Sequence, residues 1–225
     1  MNEKTNIFIF LGLALLPFII LSMEMVILLI EAIFYGTMDL SKLNAGNIIL
    51  HWIFTMVVWC TGIYAIFILS KKLGYNVFDN KNRPEIINWI IVCALVILTA
   101  TISFIDWDMR FKPYIELTNL VKYFGNFGYL MFICQYLYYF VESMMFLALI
   151  IFAQEFGERL SKVKIIPWGG LICGLTWGLG HIITKDNLLV GLLGLLGAIF
   201  YGFVYLQLKK NIRYAYIIIA LMFMI

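Results

Sequence analysis

Residues 127–156 read FGYLMFICQYLYYFVESMMFLALIIFAQEF, and this stretch decides the fold class. About 20 apolar residues in a helix are enough to cross a hydrocarbon core of ~30 Å. The stretch therefore predicts a transmembrane helix that carries one carboxylate, Glu142, deep inside it. A charged side chain at membrane depth is costly, so it is rare unless it has a partner or a function. Glu142 is the first candidate functional residue.

The whole chain has the composition of an integral membrane protein. Of its 225 residues, 64% are hydrophobic and 13% are charged, whereas soluble domains have about 45–50% apolar and about 25% charged residues. No linker rich in Pro, Gly or Ser divides the chain, so residues 1–225 are predicted to form a single membrane-embedded domain. The net charge of +3 and the lack of a basic surface interleaved with aromatic residues argue against a nucleic-acid partner. The lipid bilayer is the expected environment.

Apolar stretches long enough to span the bilayer predict an all-α, polytopic transmembrane bundle of six to seven helices. The six long stretches are residues 7–34, 48–70, 86–105, 127–156, 166–184 and 188–208. A seventh, Tyr214 to Ile225, is short and fits half a span, a tilted packing helix or the start of a longer segment. The connection 106–123 is expected to be external and partly interfacial.

The distribution of Lys and Arg predicts the orientation of the bundle. Basic residues on the side of the N-terminus are Lys4, Lys71, Lys72, Lys81, Arg83, Arg159, Lys162, Lys164, Lys209, Lys210 and Arg213. The opposite side has Lys42, Arg110, Lys112, Lys122 and Lys185. Because short cytoplasmic loops carry the excess of basic residues, the N-terminus is predicted to be cytoplasmic and the chain to be a multi-pass protein of the cell membrane.

A second ionisable residue, His181, lies in the apolar sequence LICGLTWGLGHII. The basic loop 159–164 joins its helix to that of Glu142. Counting along each helix from this loop places both residues about 20–24 Å from the cytoplasmic edge of the membrane. Glu142 and His181 are therefore expected at similar depth on adjacent antiparallel helices, where they could meet.

Helical periodicity predicts which way these side chains face. His181 is seven residues after Gly174, in a helix whose glycines recur every four residues, so it is expected on the face that contacts another helix. Gln135 and Tyr138 share a polar stripe with Glu142.

Two other ionisable residues lie in the outer half of the bundle. Glu24 is about 25 Å from the cytoplasmic edge, and His51 is near the external end of its helix. All four ionisable groups could form one cluster. The structural interpretation makes Glu24 a hydrogen-bonded group inside the bundle and His51 a hydrated helix end.

The sequence Trp177-Gly-Leu-Gly-His181 is similar to the FxxxH element of the CPBP intramembrane protease family, which includes the CAAX prenyl proteases and bacteriocin self-immunity proteins. In that family an EExxxR motif precedes FxxxH, and a third element has His followed four residues later by Asn or Asp. The resemblance covers about residues 125–225. It implies an intramembrane peptidase, with Glu142 as the general base, His181 as the oxyanion or water partner, and a peptide or membrane protein as substrate.

The first family motif fits this chain in two registers. Gln154-Glu155-Phe-Gly-Glu-Arg159 matches EExxxR by letters, with its first glutamate replaced. Glu142 matches by depth, and depth is favoured because a catalytic carboxylate must reach its partner. Gln154, Glu155 and Arg159 are then interpreted as a charged helix end.

The third family element is not found in this chain. The sequence contains two histidines, and neither lies in the C-terminal stretch. One histidine with one or two carboxylates also lacks the three protein ligands of a typical catalytic zinc site. No cofactor is therefore expected, and the support for a divalent metal is weak, although the resemblance leaves glutamate-dependent and metal-dependent hydrolysis both open.

Three functions remain open on the sequence. The first is peptide-bond hydrolysis in the outer half of the bilayer. The second is a non-catalytic immunity or regulatory membrane protein on the same scaffold, in which Glu142 and His181 only join two helices. The third is a proton or small-solute carrier that uses Glu24, Glu142 and His181 as a relay; the apolar inner halves of the helices count against it.

Overall fold

The computed structural model describes residues 3–225, with side chains from Ile7 onward, and these residues form an all-α membrane protein without a β-strand. The helices are α1 (Glu3–Tyr35), α2 (Ala45–Lys72), α3 (Ile86–Asp106), α4 (Lys112–Phe124), α5 (Phe127–Ser161), α6 (Trp168–Cys173), α7 (Leu179–Lys185), α8 (Leu188–Gln207) and α9 (Ile212–Met224). A π-helical turn, Gly174–Gly178, joins α6 to α7 without a break.

Within the described residues, five helices are long and apolar enough to cross a membrane, namely α1, α2, α3, α5 and α8. The predicted all-α bundle is confirmed. The predicted stretch 166–184 is the continuous helical path from α6 through the π turn to α7. The short C-terminal stretch forms α9, whose 13 residues reach about 20 Å, less than the hydrocarbon core. It packs against α5, α8 and α3.

Helix α5 is the centre of the bundle. It contacts α1, α2, α4, α6 and α9, and every residue from Met145 to Ala153 is at most 1% exposed. A helix that is apolar on all sides is expected to be buried on all sides. Glu142 lies just before this fully buried run, so α5 carries its carboxylate into the interior of the protein.

Helix α8 crosses the α6–α7 segment at close backbone contact. A Cβ added to Gly170 would lie 2.6 Å from the carbonyl oxygen of Ala198, and one added to Gly178 would lie 2.7 Å from the backbone nitrogen of Leu195. Small residues permit this approach between membrane helices. The crossing fixes the position of the polar residues that follow Gly178.

The π turn keeps one row of residues against α8. Four residues advance an α-helix by about 400°, so a row at four-residue spacing drifts about 40° per step. An i→i+5 turn takes one extra residue and removes about 100° of that drift. The row therefore continues from Gly178 to Ile182, whose side chain contacts Gly191 on α8. Ile182 is the residue of this segment that contacts Gly191, whereas the polar contact of His181 is with the Trp177 carbonyl oxygen.

Candidate functional site

Trp177 lies between Glu142 and His181. Its indole Nε1 donates a hydrogen bond to Glu142 Oε1 at 3.2 Å. Its carbonyl oxygen is 2.9 Å from Nδ1 of His181, and the indole and imidazole rings meet edge to face with centroids 4.7 Å apart. Among the described residues, no hydrogen bond or ion pair joins Glu142 directly to His181. The two candidate catalytic residues therefore both contact Trp177 but do not contact each other through a hydrogen bond.

The hydrogen bond of His181 determines what its other nitrogen can do. A backbone carbonyl only accepts hydrogen bonds, so the contact with the Trp177 oxygen places a proton on Nδ1. In the neutral imidazole, Nε2 is then an acceptor. Within the described part of the chain, neither this Nε2 nor Glu142 Oε2 hydrogen-bonds to another protein atom. Both atoms can therefore serve a water molecule or a substrate.

Aromatic side chains surround the Trp177 indole. Phe146 lies 4.8 Å from it and Phe223 5.7 Å, both between ring centroids. Phe146 in turn stacks on Tyr201 at 5.3 Å. Such packing fixes the indole and lowers the local dielectric, which strengthens any electrostatic interaction at Glu142.

A second cluster of ionisable residues joins α1, α2 and α5. His51 is completely buried, with Nδ1 2.8 Å from Glu31 Oε2 and Nε2 3.5 Å from Glu24 Oε1. Tyr138 donates its hydroxyl proton to Glu24 at 2.8 Å. We call Glu24, Glu31, His51 and Tyr138 the His51 cluster. The interpretation of His51 as a hydrated helix end is wrong, because its imidazole is fully buried and meets two carboxylates of α1. Glu24 is hydrogen-bonded inside the bundle, as its structural interpretation expects.

Glu31 is the member of this cluster that the sequence interpretation missed. It follows Glu24 by seven residues, which is two helical turns. This spacing alone predicts that both carboxylates lie on the same face of α1. Glu31 Oε1, His51 Nε2 and Thr55 Oγ1 are buried without a hydrogen-bond partner among the described atoms. Because unpaired buried polar groups are costly, the stability of this cluster depends strongly on the partners that it keeps.

The four ionisable groups expected to converge form two adjacent sets. Glu24 belongs with His51 on one side of α5, and Glu142 belongs with Trp177 and His181. Tyr138, one helical turn before Glu142, connects the two sets through its hydrogen bond to Glu24.

Gln135 belongs to a third network, on the side of α5 that faces α4. Its amide nitrogen donates to Glu116 Oε1 at 3.3 Å and contacts the Tyr139 hydroxyl at 2.6 Å. Gln135 is seven residues before Glu142 on the same helix, as the predicted stripe requires, but its hydrogen bonds go to Glu116 and Tyr139 and not to the Glu142 site. Lys112, also on α4, donates to the Phe223 carbonyl oxygen at 2.9 Å. Burial lowers the pKa of the Lys112 amine, while the nearby carboxylates of Glu116 and Glu142 act in the opposite direction.

The alternative motif register forms an ordered network at the end of α5. Gln154 is fully buried and donates to Glu158 Oε1 at 2.8 Å and to the Ile166 carbonyl at 2.9 Å. The side-chain Oε1 of Gln154 accepts a hydrogen bond from the backbone N–H of Gly169 at 2.9 Å. Gln154 therefore joins α5 to the start of α6, so the interpretation as a merely charged helix end is incomplete.

Glu155 and Arg159 lie on the more exposed side of this network. Glu155 is 3.4 Å from Arg159 and 3.2 Å from Lys210. His181 is twelve residues beyond Gly169, or about 18 Å of helix. Gln154, Glu155 and Arg159, which match the family motif by letters, therefore do not contact His181.

Comparisons with protein-family models, with curated proteins and with solved structures found no match. In the described part of the chain, no group of three or more His, Cys, Asp or Glu side chains is arranged to hold a metal ion. The geometry around Glu142, Trp177 and His181 is therefore the basis for a functional proposal.

Proposed function

We propose that this protein is an intramembrane peptidase similar to the CPBP family. The proposal depends on one observation: Glu142 and His181 both contact Trp177, while Glu142 Oε2 and His181 Nε2 make no hydrogen bond to other described protein atoms. A carboxylate and an imidazole acceptor in a low-dielectric interior are suitable for activating one water molecule.

Glu142 acts in this proposal as the general base. It takes a proton from water while the water oxygen attacks the carbonyl carbon of the scissile peptide bond, and the carbonyl electron pair moves to its oxygen. When that pair returns, the C–N bond breaks and Glu142 gives its proton to the leaving nitrogen. The products are a carboxylic acid and an amine.

His181 orients the attacking water in this reaction. Family resemblance allows either this role or stabilisation of the oxyanion. A neutral imidazole that donates from Nδ1 can only accept at Nε2, which favours the water over the oxyanion. Trp177 is a positioning residue, because its indole N–H fixes one oxygen of Glu142.

The proposed site lies within a multi-pass protein of the cell membrane. The five helices of spanning length support several crossings, and the excess of Lys and Arg on the side of the N-terminus supports a cytoplasmic N-terminus. The substrate would then be a peptide or membrane protein cleaved in the outer half of the bilayer.

The test is cleavage of internally quenched peptides that carry an apolar spanning stretch and are reconstituted with the protein in liposomes. Loss of a general base lowers rates by about 10²–10⁴-fold, so Glu142→Gln should lose cleavage by that factor. Glu155→Gln is the matched control, because the same helix places it about 20 Å away. Wild-type cleavage by Glu142→Gln would overturn the proposal.

The second candidate is a non-catalytic immunity or regulatory protein on the same scaffold. It is favoured by the direct hydrogen bond from Trp177 to Glu142, which lets the site act as a helix-joining contact without chemistry. In that case cells that express Glu142→Gln should survive a panel of membrane-active bacteriocins as well as cells that express the wild type. No peptide should be cleaved by either protein.

A further inference from the structure

A pocket of about 760 Å³ opens at the end of the bundle where α5 and α8 terminate. Its walls are the loop before α6, the last turn of α8, the turn after α8 and the loop between α2 and α3. Spanning helices end where the hydrocarbon core gives way to headgroups and water. The pocket therefore lies at the level of lipid headgroups, far from the Glu142 site along α5.

The pocket has an excess of positive charge. Its lining includes Lys164, Lys209 and Lys210 but a single carboxylate, that of Glu158. Lys210 pairs with Glu158 at 2.6 Å. Lys209 reaches only the exposed Glu85, at 3.6 Å, and exposed pairs of this kind contribute little. Lys164 has no acidic partner among the side chains that the structure describes. Two cations, Lys164 and Lys209, are thus left for an anion.

The backbone at Lys209 and Lys210 is unusual for lysine. Both residues have left-handed conformations, with φ values of 54° and 58°, which glycine and asparagine adopt at lower cost. The Lys209 carbonyl oxygen accepts a hydrogen bond from Asn80 Nδ2 at 2.7 Å, which fixes this turn in place. Strained residues of this type cluster at functional sites. The turn therefore presents long cationic side chains at positions where the backbone alone would favour other residues.

One wall of the pocket is apolar and faces outward. The side chain of Ile165 is 80% exposed and that of Phe203 is 37% exposed, although both are hydrophobic. An apolar wall beside Lys164, which has no acidic partner among the described side chains, and Lys209, whose one acidic partner Glu85 is exposed, fits a ligand with an anionic head and a hydrocarbon tail. Basic pockets between spanning helices bind anionic lipid headgroups by this combination.

We infer that this pocket binds an anionic phospholipid, with Lys164 and Lys209 on the headgroup phosphate and an acyl chain along Ile165 and Phe203. This site is independent of the proposed peptidase site. Binding there would make the stability of the α5–α6 and α8–α9 connections depend on the charge of the surrounding lipid.

The test is thermal unfolding of the full chain in dodecyl maltoside micelles, followed by tryptophan fluorescence during titration with phosphatidylglycerol or phosphatidylcholine of the same acyl chains. Phosphatidylglycerol should raise the unfolding temperature more. The Lys164→Gln/Lys209→Asn variant should bind it about 30-fold more weakly, since two basic residues near the lipid are removed. Asparagine accepts the left-handed conformation, so this variant should fold.

The Lys71→Gln/Lys72→Gln variant is the matched control, because it removes two charges from the same end of the bundle outside the pocket. It should keep the wild-type response to phosphatidylglycerol. Equal shifts with the two lipids, or equal phosphatidylglycerol affinity of the two double variants, would overturn the inference. A shift with inorganic phosphate as large as that with phosphatidylglycerol would assign the pocket to free phosphate instead.

Discussion

The His51→Ala substitution removes the only hydrogen-bond partner of a buried carboxylate. Glu31 is 9% exposed, and within the described structure its one hydrogen bond is to His51 Nδ1 at 2.8 Å. Breaking a buried pair by deleting one member typically costs about 3–5 kcal/mol, because the remaining charge is left uncompensated.

We therefore expect His51→Ala to lower the free energy of unfolding by about 3–5 kcal/mol. Adding Glu31→Gln to the same chain should recover about 1–2 kcal/mol, because the amide has no charge to neutralise but still lacks partners.

Unfolding in mixed micelles titrated with SDS, followed by circular dichroism, measures these differences. His181→Ala is the matched control: it loses one hydrogen bond to a backbone carbonyl and one edge-to-face contact, worth about 1–3 kcal/mol together. If His51→Ala cost no more than His181→Ala, the argument from unpaired charge would be refuted.

Gly170→Ala and Gln154→Ala test the helix contacts that position the site, and Gly180→Ala is the control for the first. Gly170→Ala should cost about 1–3 kcal/mol, because its Cβ would lie 2.6 Å from the Ala198 carbonyl oxygen. Gly180→Ala, whose Cβ meets nothing within 4 Å, should be neutral or stabilise by up to about 1 kcal/mol; equal effects in the SDS titration would contradict the close crossing. Gln154→Ala should cost about 1–3 kcal/mol and speed tryptic cleavage of the loop 159–164, and unchanged cleavage would argue against its role.

Hydropathy predicts the spanning helices well because bilayer thickness fixes their length. The helix ends depend on different chemistry, so the predicted bounds differ from those observed. Helix α2 begins at Ala45 because the Asn44 side chain accepts the N–H of Asn47, three residues before the apolar stretch starts. Helix α5 continues through charged residues to Ser161, where Lys162 adopts a left-handed conformation and ends it.

Depth along a helix is also readable from sequence, whereas the direction of a side chain depends on its neighbours. Counting residues predicts Glu142 and His181 at similar depth, and in the structure both contact Trp177 rather than each other. His51 lies near a helix end, yet it is fully buried and contacts Glu24 and Glu31 of α1. Gln135 turns toward α4 because Glu116 provides a partner there. Such contacts arise from tertiary packing, which periodicity within one helix does not contain.

The π turn at Gly174–Gly178 has a consequence for how related sequences can differ in length. Inserting or deleting one residue in a regular α-helix rotates everything beyond it by about 100°. This turn already contains one extra residue, so loss of the outward-facing Leu175 would convert it to an α-helical turn and leave both flanks in register. A homologue shorter by one residue here could keep Trp177 and His181 in the same places. An alignment of such sequences should therefore allow a single gap between Gly174 and Trp177.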